Sequence, residues 1–119
     1  MNVAVLGASD QPDRYSYKAV MMLKEKGHTP FPVHPRIAEI EGLRVYRTLV
    51  DIPEAVDTIT VYLAPPRSGA MADEILACGA RRVIFPPGAE NPDLERRLKD
   101  KGIEALEACT LVMLTTGQF

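Results

Sequence analysis

Short apolar runs alternate with longer amphipathic stretches along the whole chain. The run at residues 3–6 (VAVL) has no polar position, which is typical of a strand buried on both faces of a parallel sheet. Residues 15–26 place Ala19, Val20 and Leu23 on one helical face, and Gly27 follows as a helix stop. By the same criteria, strands are predicted at 29–33, 57–63, 82–85 and 103–107, and a weak one, possibly at an edge, at 43–46. Helices are predicted at 68–78, 91–101 and 108–116, and residues 48–56, which contain Pro53, form a turn or a broken short helix.

This alternation of strands and helices predicts an α/β fold. We expect a doubly wound parallel sheet of about five strands with helices on both faces, formed by residues 1–119 as a single domain. In such sheets, ligands bind beyond the carboxyl ends of the strands. The residues that directly follow each strand are therefore the candidate site residues.

The loop after the first strand, residues 7–16 (GASDQPDRYS), is the first candidate. Gly7 permits a sharp turn and close approach of a ligand. The next helix begins near Arg14, Tyr15 and Ser16, where free amide groups form an anion site, and Asp13 or Ser16 could cap it. The second and third glycines of the dinucleotide-binding fingerprint are missing, so an ordinary strand–helix turn remains the alternative.

The loop after the second strand contains His34, Pro35 and Arg36. A site for NAD would place an acidic residue here, to accept hydrogen bonds from the ribose hydroxyls, and none occurs before Glu39. A cation suits a phosphate on the ribose, which leaves NADP or coenzyme A (CoA), unless Arg36 is only a solvated loop residue.

Two proline steps end later strands. Ala64, Pro65 and Pro66 form a stiff apolar lip that could pack a ring or an alkyl arm, although Pro66 could equally open the next helix. After the strand at 82–85, Pro87 and Gly88 repeat this arrangement, and Gly88 would permit close approach.

Composition narrows the functional classes. The 14 basic and 16 acidic residues give a net charge of −2, which argues against a nucleic-acid partner. No signal peptide and no apolar run of membrane length is visible, so we expect a protein that does not bind a membrane. The two cysteines have no metal-ligand spacing, and we expect a cytoplasmic protein in which they are reduced. Cys109 could open the last helix with a lowered thiol pKa, or be a small buried residue.

Several motifs in order resemble one known family. These are VAVLGAS (3–9), VHP (33–35), VDTITVYLAPP (56–66), GARRVIFPPGAENP (79–92) and GIEALEACTLVML (102–114). The chain is similar to the small stand-alone CoA-binding proteins, whose fold resembles the CoA-binding domain of the succinyl-CoA synthetase alpha subunit.

The resemblance implies a Rossmann-like fold that binds CoA at the carboxyl edge of the sheet. It implies a phosphate-side turn at Gly7, Ala8 and Ser9. It also implies that the loop of Ala64, Pro65 and Pro66 flanks the adenine or pantetheine arm of the ligand. The residues that it aligns with the family's other motifs are His34, Pro35, Arg36, Ala64, Pro65, Pro66, Pro87, Gly88 and Cys109. His34 stands where the family commonly has Asn, and Pro87 replaces the polar residue of a Gln-Gly step.

No catalytic or metal-binding constellation is recognisable in the sequence. We therefore expect a module that binds a small nucleotide ligand, CoA or an acyl-CoA, without catalysis of its own. The alternatives are an NADP-binding, oxidoreductase-like domain and a protein-interaction module with a vestigial nucleotide pocket. The sequence identifies no protein partner.

Overall fold

The computed structural model describes residues 1–119 and contains one five-stranded parallel sheet. The strands of the chain are β1 (Asn2–Leu6), β2 (Thr29–Val33), β3 (Glu39–Ile40), β4 (Leu43–Arg44), β5 (Thr58–Val61), β6 (Arg82–Phe85) and β7 (Glu104–Glu107). The sheet order is β2-β1-β5-β6-β7, and β3 and β4 form a separate antiparallel pair. The order reverses between β1 and β5, which confirms the prediction of a doubly wound α/β sheet.

The weak strand predicted at residues 43–46 is present as the shorter β4, but it does not form an edge strand of the main sheet. β4 pairs with β3, and only Tyr46 reaches the sheet, through an isolated bridge to Val33. The amide of Tyr46 donates to the Pro32 carbonyl, which therefore points away from β1. Residues 30 and 32 share this outward direction and are both proline, so the outer edge of β2 lacks the two amide donors that a full additional strand would need.

The helices are α1 (Tyr15–Glu25), α2 (Pro65–Ala70), α3 (Ala72–Ala77), α4 (Pro92–Asp100) and α5 (Thr110–Thr115), with a 3₁₀ turn at Leu49–Asp51. The single helix predicted at 68–78 is wrong, because the chain forms α2 and α3 there. Pro65 and Pro66 occupy the first two helical positions, which proline tolerates, so α2 begins earlier than predicted. At Met71 the amide donates to the Ser68 carbonyl three residues back, which tightens the turn and separates the helices. No helix has both the length and the apolar content that a membrane span requires.

Apolar residues cover both faces of the sheet. On β1, Val3 and Val5 belong to a core cluster with Val20 and Leu23 of α1. The intervening residues Ala4 and Leu6 belong to the opposite cluster. That second cluster includes Ile75 of α3 and Leu94 and Leu98 of α4. Both faces of β1 are thus buried, as its uninterrupted apolar sequence predicts.

The buried side chain of Asn91 joins the starts of α2 and α4. Its Oδ1 accepts from the Leu94 amide (3.2 Å), so Asn91 caps α4 at its N-terminus. Its Nδ2 donates to Ser68 Oγ (2.9 Å) and to the Pro65 carbonyl (3.3 Å). Because the buried amide group is bonded at both ends, it fixes the position of α2, and with it the side chains that α2 presents at the carboxyl edge of the sheet.

Candidate functional site

An open cleft of about 640 Å³ lies beyond the carboxyl ends of β1, β2 and β5. This is the point where the strand order reverses, as expected for a ligand site in such a sheet. Eight of the predicted site residues line it: Gly7, Ala8, Ser9, Arg14, Tyr15, Ser16, His34 and Pro35. The structure therefore brings the loops after the first two strands together into one concave surface.

Seven other predicted site residues lie outside the lining of the cleft: Arg36, Ala64, Pro65, Pro66, Pro87, Gly88 and Cys109. The amide of Gly88 donates to Glu90 Oε1 (2.8 Å), so this loop already has an internal acceptor. Cys109 follows β7 and directly precedes α5, and it lies near Tyr62 of the lining without reaching the cleft itself. A ligand longer than the cleft could still reach these residues, and their roles stay predictions.

The turn after β1 depends on Gly7. Its φ is +83°, and a Cβ at this position would overlap the backbone carbonyl oxygen of Tyr62. Glycine is therefore required at position 7 because the backbone there lies very close to the residues that follow β5. The amides of Gly7 and Ala8 both donate to the Val33 carbonyl, at 3.1 and 3.2 Å. Since the Ala8 amide is already used, the amides of Ser9 and Asp10 are the ones in this turn that remain free to meet a ligand.

The first turn of α1 points unpaired amides towards the cleft. The amides of Tyr15, Ser16 and Tyr17 have no acceptor within the protein, and Tyr15 and Ser16 line the cleft. Neither Asp13 nor Ser16 caps this helix as predicted, because Arg14 occupies the N-cap position and makes no side-chain capping bond. The free amides and the positive end of the helix dipole thus remain available to an anion.

His34 lies at the end of β2 with one ring nitrogen already bonded. The Arg36 amide donates to its Nδ1 (3.0 Å), so the neutral ring carries its proton on Nε2. Partial burial lowers the pKa of His34 below its ordinary value, and the charges of Arg36 and Arg67 lower it further against the opposing effect of Asp10. The imidazole is therefore neutral at pH 7 in the cleft without ligand.

We expect His34 to make the fold less stable in acid. Because its pKa is lower in the folded protein than in the unfolded chain, the unfolded chain binds the proton first, and stability falls as the pH drops through about 6.5. His34→Asn keeps an acceptor for the Arg36 amide and removes the titrating ring. Urea denaturation at pH 7, 6 and 5 should show a smaller loss of unfolding free energy in the variant. Equal losses in both proteins would contradict this assignment.

The other ten residues of the lining are not predicted by the sequence pattern: Leu6, Asp10, Gln11, Val33, Ile37, Arg47, Tyr62, Leu63, Arg67 and Met71. Tyr62 and Leu63 follow directly after β5, which ends at Val61, whereas the sequence pattern extends that strand to 63. An earlier strand end would have identified them. Arg67 directly follows the proline step, but nothing in the local sequence distinguishes it from a solvated helix residue.

Tyr62 closes the cleft between β1 and β5. Burial raises the pKa of Tyr62 to about 12, and the nearby Cys109 adds to the rise while contacts with Thr110 and Thr60 oppose it. The phenol is therefore neutral over the physiological range. Its hydroxyl lies near the buried Thr60 and Thr110, so the residue contributes mainly its ring to the lining.

Comparison with known proteins agrees with this geometry. Residues 1–115 match the sequence profile of the CoA binding domain family. The chain is 30% identical over 100 residues to the uncharacterized protein YneT of Bacillus subtilis, covering 84% of this chain and 74% of that protein. It is also 30% identical over 82 residues to the alpha subunit of acetate–CoA ligase (ADP-forming) II of Pyrococcus furiosus, covering 68% of this chain and 17% of that subunit.

Solved structures show the same fold. A crystal structure of an uncharacterized protein superposes with a TM-score of 0.93 at 39% identity, covering 99% of this chain and 97% of that one. A Thermus thermophilus protein superposes with a TM-score of 0.91 at 30% identity, covering 99% of this chain and 90% of that one. The fold described above is thus shared with these two solved structures.

Proposed function

Because the chain belongs to the CoA binding domain family, we propose that it binds CoA or an acyl-CoA in the cleft at the carboxyl ends of β1, β2 and β5. The observation that carries the proposal is the juxtaposition of the Gly7 turn with the unpaired first-turn amides of α1. These amides would receive the diphosphate of the ligand. The free amide of Ser9 lies in the same turn and adds a further donor.

The size and composition of the cleft support a nucleotide ligand. Its volume of about 640 Å³ falls in the range of sites for ligands of this size. Tyr15 lines it and is 68% exposed, so its ring is accessible to a base. Ile37, Leu63 and Met71 give the other walls an apolar character. Polar donors at the turn and apolar walls around it suit a phosphorylated adenosine with a flexible arm.

The proposed role is binding without catalysis. His34 is the histidine of the cleft. Its imidazole accepts one hydrogen bond within the protein, from the Arg36 backbone amide, and has no hydroxyl or carboxylate as partner. A general base that activates a nucleophile needs such a partner. The chain spans 17% of the length of the Pyrococcus ligase subunit, so we attribute no ligase reaction to it.

Thermal unfolding with four ligands tests the proposal. A ligand that binds only the folded protein raises the melting temperature once its concentration exceeds the dissociation constant. We expect CoA and acetyl-CoA to raise it, and NAD to leave it unchanged. A rise with NADP alone would instead favour an oxidoreductase-like domain. No rise with any of the four would contradict the proposal and favour an interaction module.

A further inference from the structure

Three arginines face the cleft without a carboxylate partner. Arg14, Arg47 and Arg67 line it, and none of them forms a salt bridge. Elsewhere Arg81, Arg96 and Arg97 are all paired with carboxylates. The only acidic residue of the lining is Asp10, so the formal charge of the lining is +2 (three arginines and one aspartate) in a protein whose net charge is −2. This local excess of cations attracts a ligand that carries several negative charges.

Arg47 lies at the end of β2, although it is far from β2 in sequence. The preceding residue Tyr46 bridges to β2: its amide donates to the Pro32 carbonyl, and its carbonyl accepts from the His34 amide, each at 2.9 Å. In nucleotide-binding sheets of this kind, the end of the second strand is where the ribose and its substituents are recognised. Arg47 therefore occupies the ribose position, and its side chain lines the cleft.

Arg67 approaches the same region from β5. It lies in the first turn of α2, after Pro65 and Pro66, which have no amide hydrogen, and its own amide donates to the Ala64 carbonyl (2.9 Å). The first two positions of α2 thus offer no backbone donor, and the Arg67 side chain is the cationic group of this turn. Arg67 and His34, which directly follows β2, line the same cleft, so the Arg67 side chain can reach a ligand bound at the end of β2.

We propose that Arg47 and Arg67 form a second anion subsite, separate from the α1 amides, that binds the phosphate on the ribose of the ligand. This inference rests on the proposed function and adds the origin of its specificity. A guanidinium can bind a phosphate through two parallel hydrogen bonds, so two of them on opposite walls enclose a dianion. Arg36, which follows β2 in sequence, lies outside the lining, so this subsite does not require it.

Binding of CoA and of dephospho-CoA, which lacks the ribose phosphate, separates the two subsites. In calorimetric titrations, Arg47→Gln and Arg67→Gln should each weaken CoA by about 10-fold and leave dephospho-CoA within about 2-fold. Arg96→Gln is the matched control, because Arg96 is exposed on α4 and lies outside the lining of the cleft, and it should change neither ligand. Both Arg variants remove exposed side chains without carboxylate partners, so we expect them to fold normally.

The outcomes distinguish this inference from the proposed function. If the wild type binds CoA and the Arg47 and Arg67 variants weaken both ligands equally, or neither, the second subsite is wrong and CoA binding stands. If the wild type does not bind CoA, the proposed function fails, and titration with adenosine 3′,5′-bisphosphate and AMP decides the subsite. A preference for the bisphosphate that both variants abolish supports it, and no preference overturns it.

Discussion

Replacing Gly7 with alanine should destabilise the protein by roughly 3 kcal/mol or more. The residue has a φ of +83°, which costs an L side chain about 1 kcal/mol. The new Cβ would also overlap the Tyr62 carbonyl oxygen and press against the Leu63 side chain. Because these belong to the end of β5, relief requires β1 and β5 to separate at the cleft. Urea denaturation should show the loss, and no ligand response should remain in the melting temperature.

Gly79→Ala is the matched control for this variant. Gly79 has nearly the same φ, +85°, but no atom lies within 4 Å of the position that a Cβ would occupy. Its substitution should therefore cost only the conformational strain, about 1 kcal/mol. If the two variants lose equal stability, the contact with Tyr62 does not limit position 7, and our account of the turn is wrong.

Placing a negative charge at Ser9 should abolish most ligand binding while the fold stays intact. Ser9 Oγ accepts from the Gln11 amide (3.1 Å), and an aspartate carboxylate can accept the same bond. The carboxylate of Ser9→Asp would then lie in the turn proposed to hold the diphosphate. Repulsion between like charges a few ångströms apart should weaken CoA by at least about 30-fold in calorimetric titration.

Ser9→Asn separates the effect of charge from that of shape. Asparagine keeps an acceptor for the Gln11 amide and is close to aspartate in size, but it is neutral. We expect this variant to lose only a few-fold in affinity, and both variants to melt within a few degrees of the wild type. Equal loss of affinity in the two would mean that the diphosphate does not lie against this turn.

The parts of the fold that local sequence predicts are those in which the local signal and the packing agree. Residues 3–6 of β1 are apolar because both faces of the strand are buried, and Asn91 and Pro92 mark the start of α4 because a side-chain cap followed by proline is a local signal. The sequence pattern does not show the boundary between α2 and α3. It lies at Met71, where the amide donates to the Ser68 carbonyl three residues back, and methionine gives no helix-stop signal.

The candidate site shows the same division. Residues directly after β1 and β2 could be identified, because the carboxyl end of a parallel strand faces the ligand side in any sheet of this type. The sequence pattern points to Arg36 for the ribose phosphate, because Arg36 is the first cation that follows β2. Arg47 reaches that place only through the hairpin of β3 and β4 and the bridge of Tyr46 to Val33, and no local pattern encodes that bridge.

A crystal structure of the protein grown with saturating CoA tests the central claim most directly. We predict electron density for the coenzyme in the cleft, with diphosphate oxygens about 2.7–3.2 Å from the amide nitrogens of Ser9 and Ser16. An empty cleft, or a coenzyme bound elsewhere on the surface, would contradict the claim that the free amides at the start of α1 form the phosphate site.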